Sequence, residues 1–385
     1  MKKFAFENLP LNGVEAEKAW AIANKGFTLG CFQIESSTAR KLCKLIKPKS
    51  IDQLSWVNSL NRPATLDNNL TWDFVKRHNG EQSITDLHPR LKGLLPNTYS
   101  IWLYQEDLIK VVQALTNWDI YTCDNFRRIV GKKKIEEMGE LKPKFIESCI
   151  KTGLQEKESE EMFGLIRAAE RYNFCAAHSY QYSCKTYQDL YIKANYPLIF
   201  FTANLRFAHK DSDKWDTVRD LIYDARKFNI KFEPPSLHNI NEDFSIVGDK
   251  IRIGFSNLKG LGKAHLGVVR KLKTITSWKK FLTRCLDESI NKLENNVSKT
   301  VVETLIKSGC LDFMAGSRDE KLFEYNTLRQ LTPRELRFVD KKFCDGDSEE
   351  FDLKQILNDL IISDIPIRNR KTNIERLLDG IDTYK

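Results

Sequence analysis

Five cations and one acid fall in the stretch Asp124-Asn125-Phe126-Arg127-Arg128-Ile129-Val130-Gly131-Lys132-Lys133-Lys134. On a helix, adjacent arginines point about 100° apart and can straddle one anion. The three lysines follow Gly131, where the backbone is free to turn. A guanidinium binds two oxygens at once and an ammonium acts as a point charge. Arg127, Arg128, Lys132, Lys133 and Lys134 therefore suit phosphate oxygens. The other reading is a plain solvated face. The stretch is not the nucleotide-binding P-loop: no GxxxxGK[ST] is present, and Ile135 follows the lysines.

A second stretch runs from Arg171 to Tyr182. On a helix starting near His178, His178 and Tyr182 share a face, with Lys185 one step further. That set can be a ring and a donor against a base or sugar, or a core histidine among aromatic packing. A third stretch is Leu258-Lys259-Gly260-Leu261-Gly262-Lys263-Ala264. Two glycines flank one apolar residue between two helical stretches, the shape of a helix-hairpin-helix turn. Backbone N–H groups of Gly260 and Gly262, beside Lys259 and Lys263, could hold a DNA phosphate without reading sequence. An ordinary tight turn has the same sequence.

Two-metal phosphoryl transfer needs paired carboxylates on an alternating strand, and none is found. Asp211 and Asp213 have the spacing but sit in a polar loop, and Asp345 and Asp347 lie in an acid-rich stretch. No Ser-His-Asp or Cys-His arrangement can be argued from spacing. No catalytic and no metal-holding residue is therefore expected in these 385 residues.

The elements that must carry these stretches are mostly helical. Apolar spacing predicts helices over 14–24, from Ser36 or Ser37 to Ile46, over 51–60, within 101–117, in two pieces over 145–172 split at Gly153, over 178–194 and over 214–227. Arg40, Lys41, Lys44 and Lys47 form a basic face on the second of these, solvated or touching DNA. Residues 61–100, broken by Pro63, Pro89 and Pro96, read as loops with one or two helical turns. Alternation around Gly248-Asp249 predicts a β-hairpin within 244–255. Helices return to about Gly309, and a polar tail follows. The fold class is mainly α: a multi-helix domain over 1–240, a hairpin plus helix-hairpin-helix-like region over 241–315, and over 316–385 a polar tail or the start of a clamp-binding or partner-binding region.

Composition sets the setting. With 61 basic and 52 acidic residues the net charge is +9, which is compatible with nucleic acid. Hydrophobic residues make up 41% and charged ones 29%, a soluble globular balance. Nine cysteines without a CxxC point to reduced thiols rather than zinc or disulfides. No apolar run approaches a membrane span, and Met1-Lys2-Lys3-Phe4 opens no secretory stretch. The expected compartment is the cytoplasm, that of the host if the source is viral.

Seven pieces in order resemble the alpha (polymerase) subunit of bacterial DNA polymerase III, family C. Cys31-Phe32-Gln33-Ile34-Glu35-Ser36 resembles VFQ-ES, and Asn61-Arg62-Pro63 resembles the RPGP loop, with Ala64 and Thr65 for its Gly and Pro. Asn97-Thr98-Tyr99 to Tyr104-Gln105-Glu106 resembles TYG-x-x-x-YQE, with Ser100 for Gly. Phe126 to Lys134 resembles LRR-x-x-GKK. Tyr172 to Tyr182 resembles YGFNKSH-x-x-x-Y, with Asn173 for a Gly and Ala176 for the Lys; Tyr187-Gln188 and Leu190 to Pro197 continue it. Leu258 to Gly262 resembles KG-x-G, and Leu305-Ile306-Lys307-Ser308-Gly309 resembles LI-x-SG.

The resemblance implies a fingers domain that serves template-directed DNA synthesis. In it Arg127 and Arg128, with Lys132, Lys133 and Lys134 nearby, bind the triphosphate of the incoming dNTP. His178 and Tyr182 line the nascent base pair, and Lys259, Gly260, Gly262 and Lys263 hold the primer–template backbone. It further implies a palm-containing partner chain whose aspartates hold Mg2+, an isolated chain without activity, and a sliding clamp as a further partner. Gln355-Ile356-Leu357-Asn358-Asp359-Leu360 loosely resembles a clamp-binding peptide, or is an ordinary amphipathic turn. The competing class is a non-catalytic DNA-binding or regulatory protein derived from such a polymerase.

Overall fold

The computed structural model describes residues 8–384 apart from 68, 133–134, 171–172, 209–213, 287–296, 345–351, 364 and 366–367. The chain forms two compact units, Met1–Asn204 with Asp213–Phe228, and Leu205–Ser212 with Asn229–Lys385. The boundary expected at 240–241 thus falls inside the second unit.

The first unit starts with α1 (Val14–Asn24), which buries Ala16, Ala19, Trp20 and Ala23 along one stripe. The Ser36 hydroxyl accepts the Ala39 N–H at 3.2 Å and starts α2 (Ser37–Ile46). Lys47 then turns left-handed, with φ of 52°, before Pro48. Ser50 caps α3 (Ile51–Leu60) in the same way. Residues 61–100 depart from the loop expectation. After the short α4 (Pro63–Asp67) comes α5 (Leu70–His78), a nine-residue helix that buries Thr71, Phe74 and Val75. The prolines lie outside it, so they interrupt the segment without breaking that helix.

Four helices then build one apolar cluster: α6 (Gln105–Thr116), α7 (Ile120–Lys132), α8 (Ile135–Lys151) and α9 (Glu156–Ala169). Leu108, Val111, Val112 and Leu115 of α6 meet the rings of Phe126, Phe145 and Phe163. Phe126 and Phe145 stack at 5.1 Å. Each fully buried ring of this size contributes roughly 1.5–3 kcal/mol relative to exposure, so the cluster fixes α7 in rotation. The long α10 (Ala176–Asn195) packs on both α1 and α3. Its contact with α3 is polar and close: Ser59 and Ser179 hydroxyls lie 2.8 Å apart, and Asn58 Nδ2 donates to Ser183 Oγ at 2.8 Å. α10 ends at Asn195, ahead of Pro197, which is itself the first residue of α11 (Pro197–Phe207), consistent with proline's tolerance at a helix start. The unit is completed by α12 (Lys214–Arg226).

The second unit contains the expected hairpin, β2 (Ser245–Val247) with β3 (Lys250–Arg252), and one strand more. β1 (Lys231–Glu233) pairs parallel to β3, giving the order β1-β3-β2. Phe232, Ile251 and Ile246 are opposite one another in register. Three residues ahead of Pro234-Pro235 carry too little pattern to read as a strand. Helices follow: α13 (Leu266–Lys271), α14 (Trp278–Leu286) and α15 (Lys299–Lys307).

Residues 316–385 are not a tail. They contain α16 (Arg318–Leu328), α17 (Pro333–Cys344), α18 (Leu353–Ile362) and α19 (Arg368–Tyr384). Tyr325, Leu328, Leu357, Leu360 and Ile374 join Phe281, Leu305 and Ile306 in one core. The stretch is rich in charge, two of its charged side chains (Lys321 and Glu335) being buried, and that richness makes its mean composition look polar. On α18, Ile356, Leu357 and Leu360 of the clamp-like peptide lie in that core, which fits the ordinary amphipathic turn.

Candidate functional site

Asp119 accepts the N–H groups of Tyr121 and Thr122 at 2.9 and 3.1 Å and so starts α7. With Cys123, Phe126 and Val130 buried, the arginines fall on the flank of the helix. Arg127 is turned inward, its side chain 15% exposed. Its Nε and Nη2 donate to Asp124 Oδ1 at 3.2 and 3.0 Å, and its Nη1 donates to Glu170 Oε1 at 3.2 Å. Arg128 turns outward, 64% exposed, with Nε 3.1 Å from Asp124 Oδ2. The two arginines therefore straddle one anion, as their adjacency predicts, and that anion is Asp124.

Gly131 does not turn the chain. The helix continues through it to Lys132, and the missing Cβ leaves room for Glu170, whose Oε1 would lie 2.5 Å from a Cβ there. Burial raises the Glu170 carboxyl above the ordinary range, opposed by the charge and hydrogen bond of Arg127. Sequence reading missed Glu170, because nothing in spacing connects it to a helix 43 residues earlier. The side chain of Lys132, and Lys133 and Lys134 altogether, lie outside the described residues.

His178 and Tyr182 do share a face of α10, with ring centroids 4.0 Å apart. They are the middle of a longer row. Phe174 meets His178 edge-on at 5.3 Å, and Phe32 meets Tyr182 at 5.1 Å. The Arg62 guanidinium lies 4.3 Å from the Phe174 ring centre. The Phe32 N–H donates to Asp189 Oδ2 at 3.0 Å, which ties that loop to the same helix. Phe32, Arg62 and Phe174 each sat in a separate stretch of sequence, and only the fold sets them in line. Such a row can stack on a base or hold the edge of a base pair.

The opposite flank of α10 borders a cleft of about 570 Å³ lined by Asp52, Glu106, Lys110, Ala176, Ala177 and Tyr180 among others. Glu106 accepts the Ala176 N–H at 2.9 Å and so compensates the start of α10. The cleft floor holds Tyr104, whose hydroxyl is pushed up to about 12 by burial and lies 2.8 Å from Ser55 Oγ. Three carboxylates against one lysine make this cleft a poor seat for a polyphosphate.

In the second unit the glycine-rich turn lies between two short 3₁₀ turns, Phe255–Asn257 and Lys263–His265, the latter leading into α13. Leu261 is buried and anchors it. Gly260 has φ of 98°, a conformation that favours glycine, and a Cβ would press on Thr300 and Thr304 at 3.0 and 3.1 Å. Thr304 Oγ1 donates to the Lys259 carbonyl at 3.3 Å, and the Gly262 N–H donates to His265 Nδ1 at 3.1 Å. Lys259 is exposed. Lys263 is 81% exposed and pairs with Glu242 at 2.7 Å, which raises the lysine and lowers the carboxyl.

Among the described residues no group of three or more His, Cys, Asp or Glu could hold a metal ion. Asp211, Asp213, Asp345 and Asp347 lie outside the described residues. Among the same residues no helix is long and apolar enough to cross a membrane.

Residues 2–153 match the bacterial DNA polymerase III alpha subunit finger domain, and residues 229–321 match a helix-hairpin-helix motif. The chain is similar to the DNA polymerase III subunit alpha of Aquifex aeolicus (strain VF5), 32% identical over 319 residues, which is 82% of this chain and 26% of the relative. The subunit of the same name from Deinococcus radiodurans is 30% identical over 316 residues, 80% of this chain and 23% of the relative. That of Chlamydia pneumoniae is 26% identical over 389 residues, covering 100% of this chain and 30% of the relative. The chain thus spans about a quarter of the length of the curated relatives it matches.

Proposed function

This chain is a homologue of the bacterial DNA polymerase III alpha subunits and carries their finger domain at residues 2–153, and on that premise we propose that it works as the fingers of a replicative DNA polymerase. In the reaction the primer 3′-oxygen attacks the α-phosphorus of the incoming dNTP, and pyrophosphate leaves. Arg127 and Arg128 take the triphosphate oxygens, joined by Lys132, Lys133 and Lys134. The ring row centred on His178 and Tyr182 packs against the nascent base pair. Lys259, Gly260, Gly262 and Lys263 hold the backbone of the primer–template. These residues supply charge and position rather than covalent chemistry.

Mg2+, when bound, would supply positive charge that stabilises the phosphates in such a reaction. We propose that a palm on a partner chain holds this metal, while Arg127 and Arg128 act on the phosphates by charge and position. A sliding clamp would be a further partner of the assembled polymerase.

The observation that carries this reading is the arginine pair on one α7 flank, held 3.0 and 3.1 Å from a single shared carboxylate. That arrangement already binds one multi-oxygen anion. The test replaces both residues, Arg127→Ala with Arg128→Ala, in the chain assembled with its palm. Primer extension should fall by at least about a hundredfold, on the scale of lost electrostatic stabilisers, with circular dichroism unchanged and the chain alone serving as the zero-activity control. Extension within a few-fold of wild type would end the proposal.

The inward hold on Arg127 and the alanine at 176 favour a second reading, a non-catalytic DNA-binding or regulatory protein derived from such a polymerase. In that case the double substitution weakens DNA affinity only modestly and in a salt-dependent way.

A further inference from the structure

Arg127 meets two carboxylates that a triphosphate would have to replace. Glu170 Oε1 accepts its Nη1, while Asp124 Oδ1 accepts its Nε and Nη2, so Asp124 takes one two-donor edge of the guanidinium and Glu170 the remaining nitrogen. The Glu170 side chain is 7% exposed and that of Arg127 15%. Glu170 Oε2 is buried with no hydrogen-bond partner among the described residues. A buried carboxylate oxygen without a donor is costly, so the acid is held at one oxygen and unsatisfied at the other. Burial accordingly raises the Glu170 carboxyl. A glycine inside a helix also destabilises it relative to alanine and needs a reason. At Gly131 the reason is Glu170, which would collide with a Cβ at 2.5 Å from Oε1 and 3.0 Å from Cγ.

We propose that Glu170, with Asp124, is an internal anion that occupies Arg127 until a nucleoside triphosphate displaces it, so that Glu170 is a positioning residue that sets nucleotide affinity. This rests on the reading of Arg127 as a triphosphate ligand. The exchange is chemically like for like: carboxylate oxygens leave the guanidinium as phosphate oxygens arrive. Arg128 stays mostly exposed and pairs with Asp124, which makes it the first of the pair to meet the ligand. Arg127 follows once Glu170 lets go. The latch keeps the arginine oriented and charge-balanced while the site is empty, and it subtracts from the affinity of every triphosphate.

The test titrates the full 385-residue chain with dATP and Mg2+, and separately with inorganic tripolyphosphate, by calorimetry. Glu170→Gln removes the competing charge, and Gly131→Ala displaces the carboxylate by contact while leaving its charge. Both should bind dATP and tripolyphosphate about tenfold more tightly than wild type, the size of one charge-assisted hydrogen bond no longer to be broken. Arg127→Ala should lose binding whatever stands at 170. If Arg127→Ala weakens binding but neither Glu170→Gln nor Gly131→Ala strengthens it, the latch is wrong and the triphosphate reading stands. If Arg127→Ala leaves binding unchanged, the triphosphate reading itself fails. Should Glu170→Gln not fold, Gly131→Ala alone decides.

Discussion

Asp107 shows how one side chain can serve a helix and burden the fold. Its Oδ2 accepts the N–H groups of Leu103 and Tyr104 at 3.1 and 2.9 Å, closing the start of α6. Burial nevertheless raises its carboxyl from the ordinary 3.8 to about 6, against those hydrogen bonds. The folded chain keeps this proton where the unfolded chain releases it, so its contribution to stability falls as pH rises between those two values. At neutral pH the buried charge costs on the order of 1–3 kcal/mol. Both hydrogen bonds go to a single oxygen, so asparagine can keep them through its carbonyl. Asp107→Asn should therefore match or exceed wild type in urea unfolding at pH 7 and lose that advantage at pH 4. A variant less stable than wild type at pH 7 would show that the charge strengthens the cap more than burial penalises it. The arginines make a related point at the same scale. Their residue types announced an anion, but the anion in contact is carried by the chain itself.

At the scale of elements, α10 is the axis of the first unit, and its far end is fixed by Lys193. This lysine is fully buried, donating to the Leu29 carbonyl at 2.6 Å and to Asp224 Oδ2 of α12 at 2.7 Å. The rings of Phe200, Phe201 and Phe228 surround it at 5.3, 5.1 and 5.5 Å. Removing one member of a buried pair leaves the other uncompensated, typically at a cost of about 3–5 kcal/mol. Lys227 also reaches Asp224, at 3.0 Å, and tempers that loss. Lys193→Ala should lower stability by roughly 2–4 kcal/mol, read from the urea midpoint at constant slope. Lys193→Met with Asp224→Leu should recover most of it, because an apolar pair of similar volume needs no ionic partner. A double variant no better than the single one would mean that the lysine acts through the Leu29 carbonyl instead.

For the whole molecule, the second unit draws its core from both sides of residue 315. Leu305, Ile306 and Leu311 are covered by Tyr325, Leu328, Leu357 and Leu360, all buried in one cluster. A fragment ending at 315 would leave that apolar surface in water. Residues 229–315 alone should therefore be largely unfolded by circular dichroism and quickly cut by protease, whereas 229–385 should resist it. A stable, cooperative 229–315 fragment would restore the hairpin region as a separate domain. The net charge of +9 is spread over both units, and the cleft beside α10 runs against it.

Helix positions followed from local physics. Ser36 and Ser50 cap the helices they precede, Ile51 to Leu60 keeps its apolar spacing, and Gly248-Asp249 turns a hairpin. The ordered motifs likewise pointed to the finger-domain relation without any coordinates. Contacts between distant stretches did not follow, because no periodicity links residue 62 to 174 or 127 to 170. The line of rings from Phe32 to Phe174, the buried pairing of Lys193 on α10 with Asp224 on α12, and the carboxylate hold on Arg127 were decided by packing alone. So was the place of residues 316–385, whose average polarity hid an apolar stripe on each helix. Sequence determined which side chains could meet phosphate and base; tertiary structure decided which already have partners, since a charge finds its counter-ion across the fold rather than along the chain.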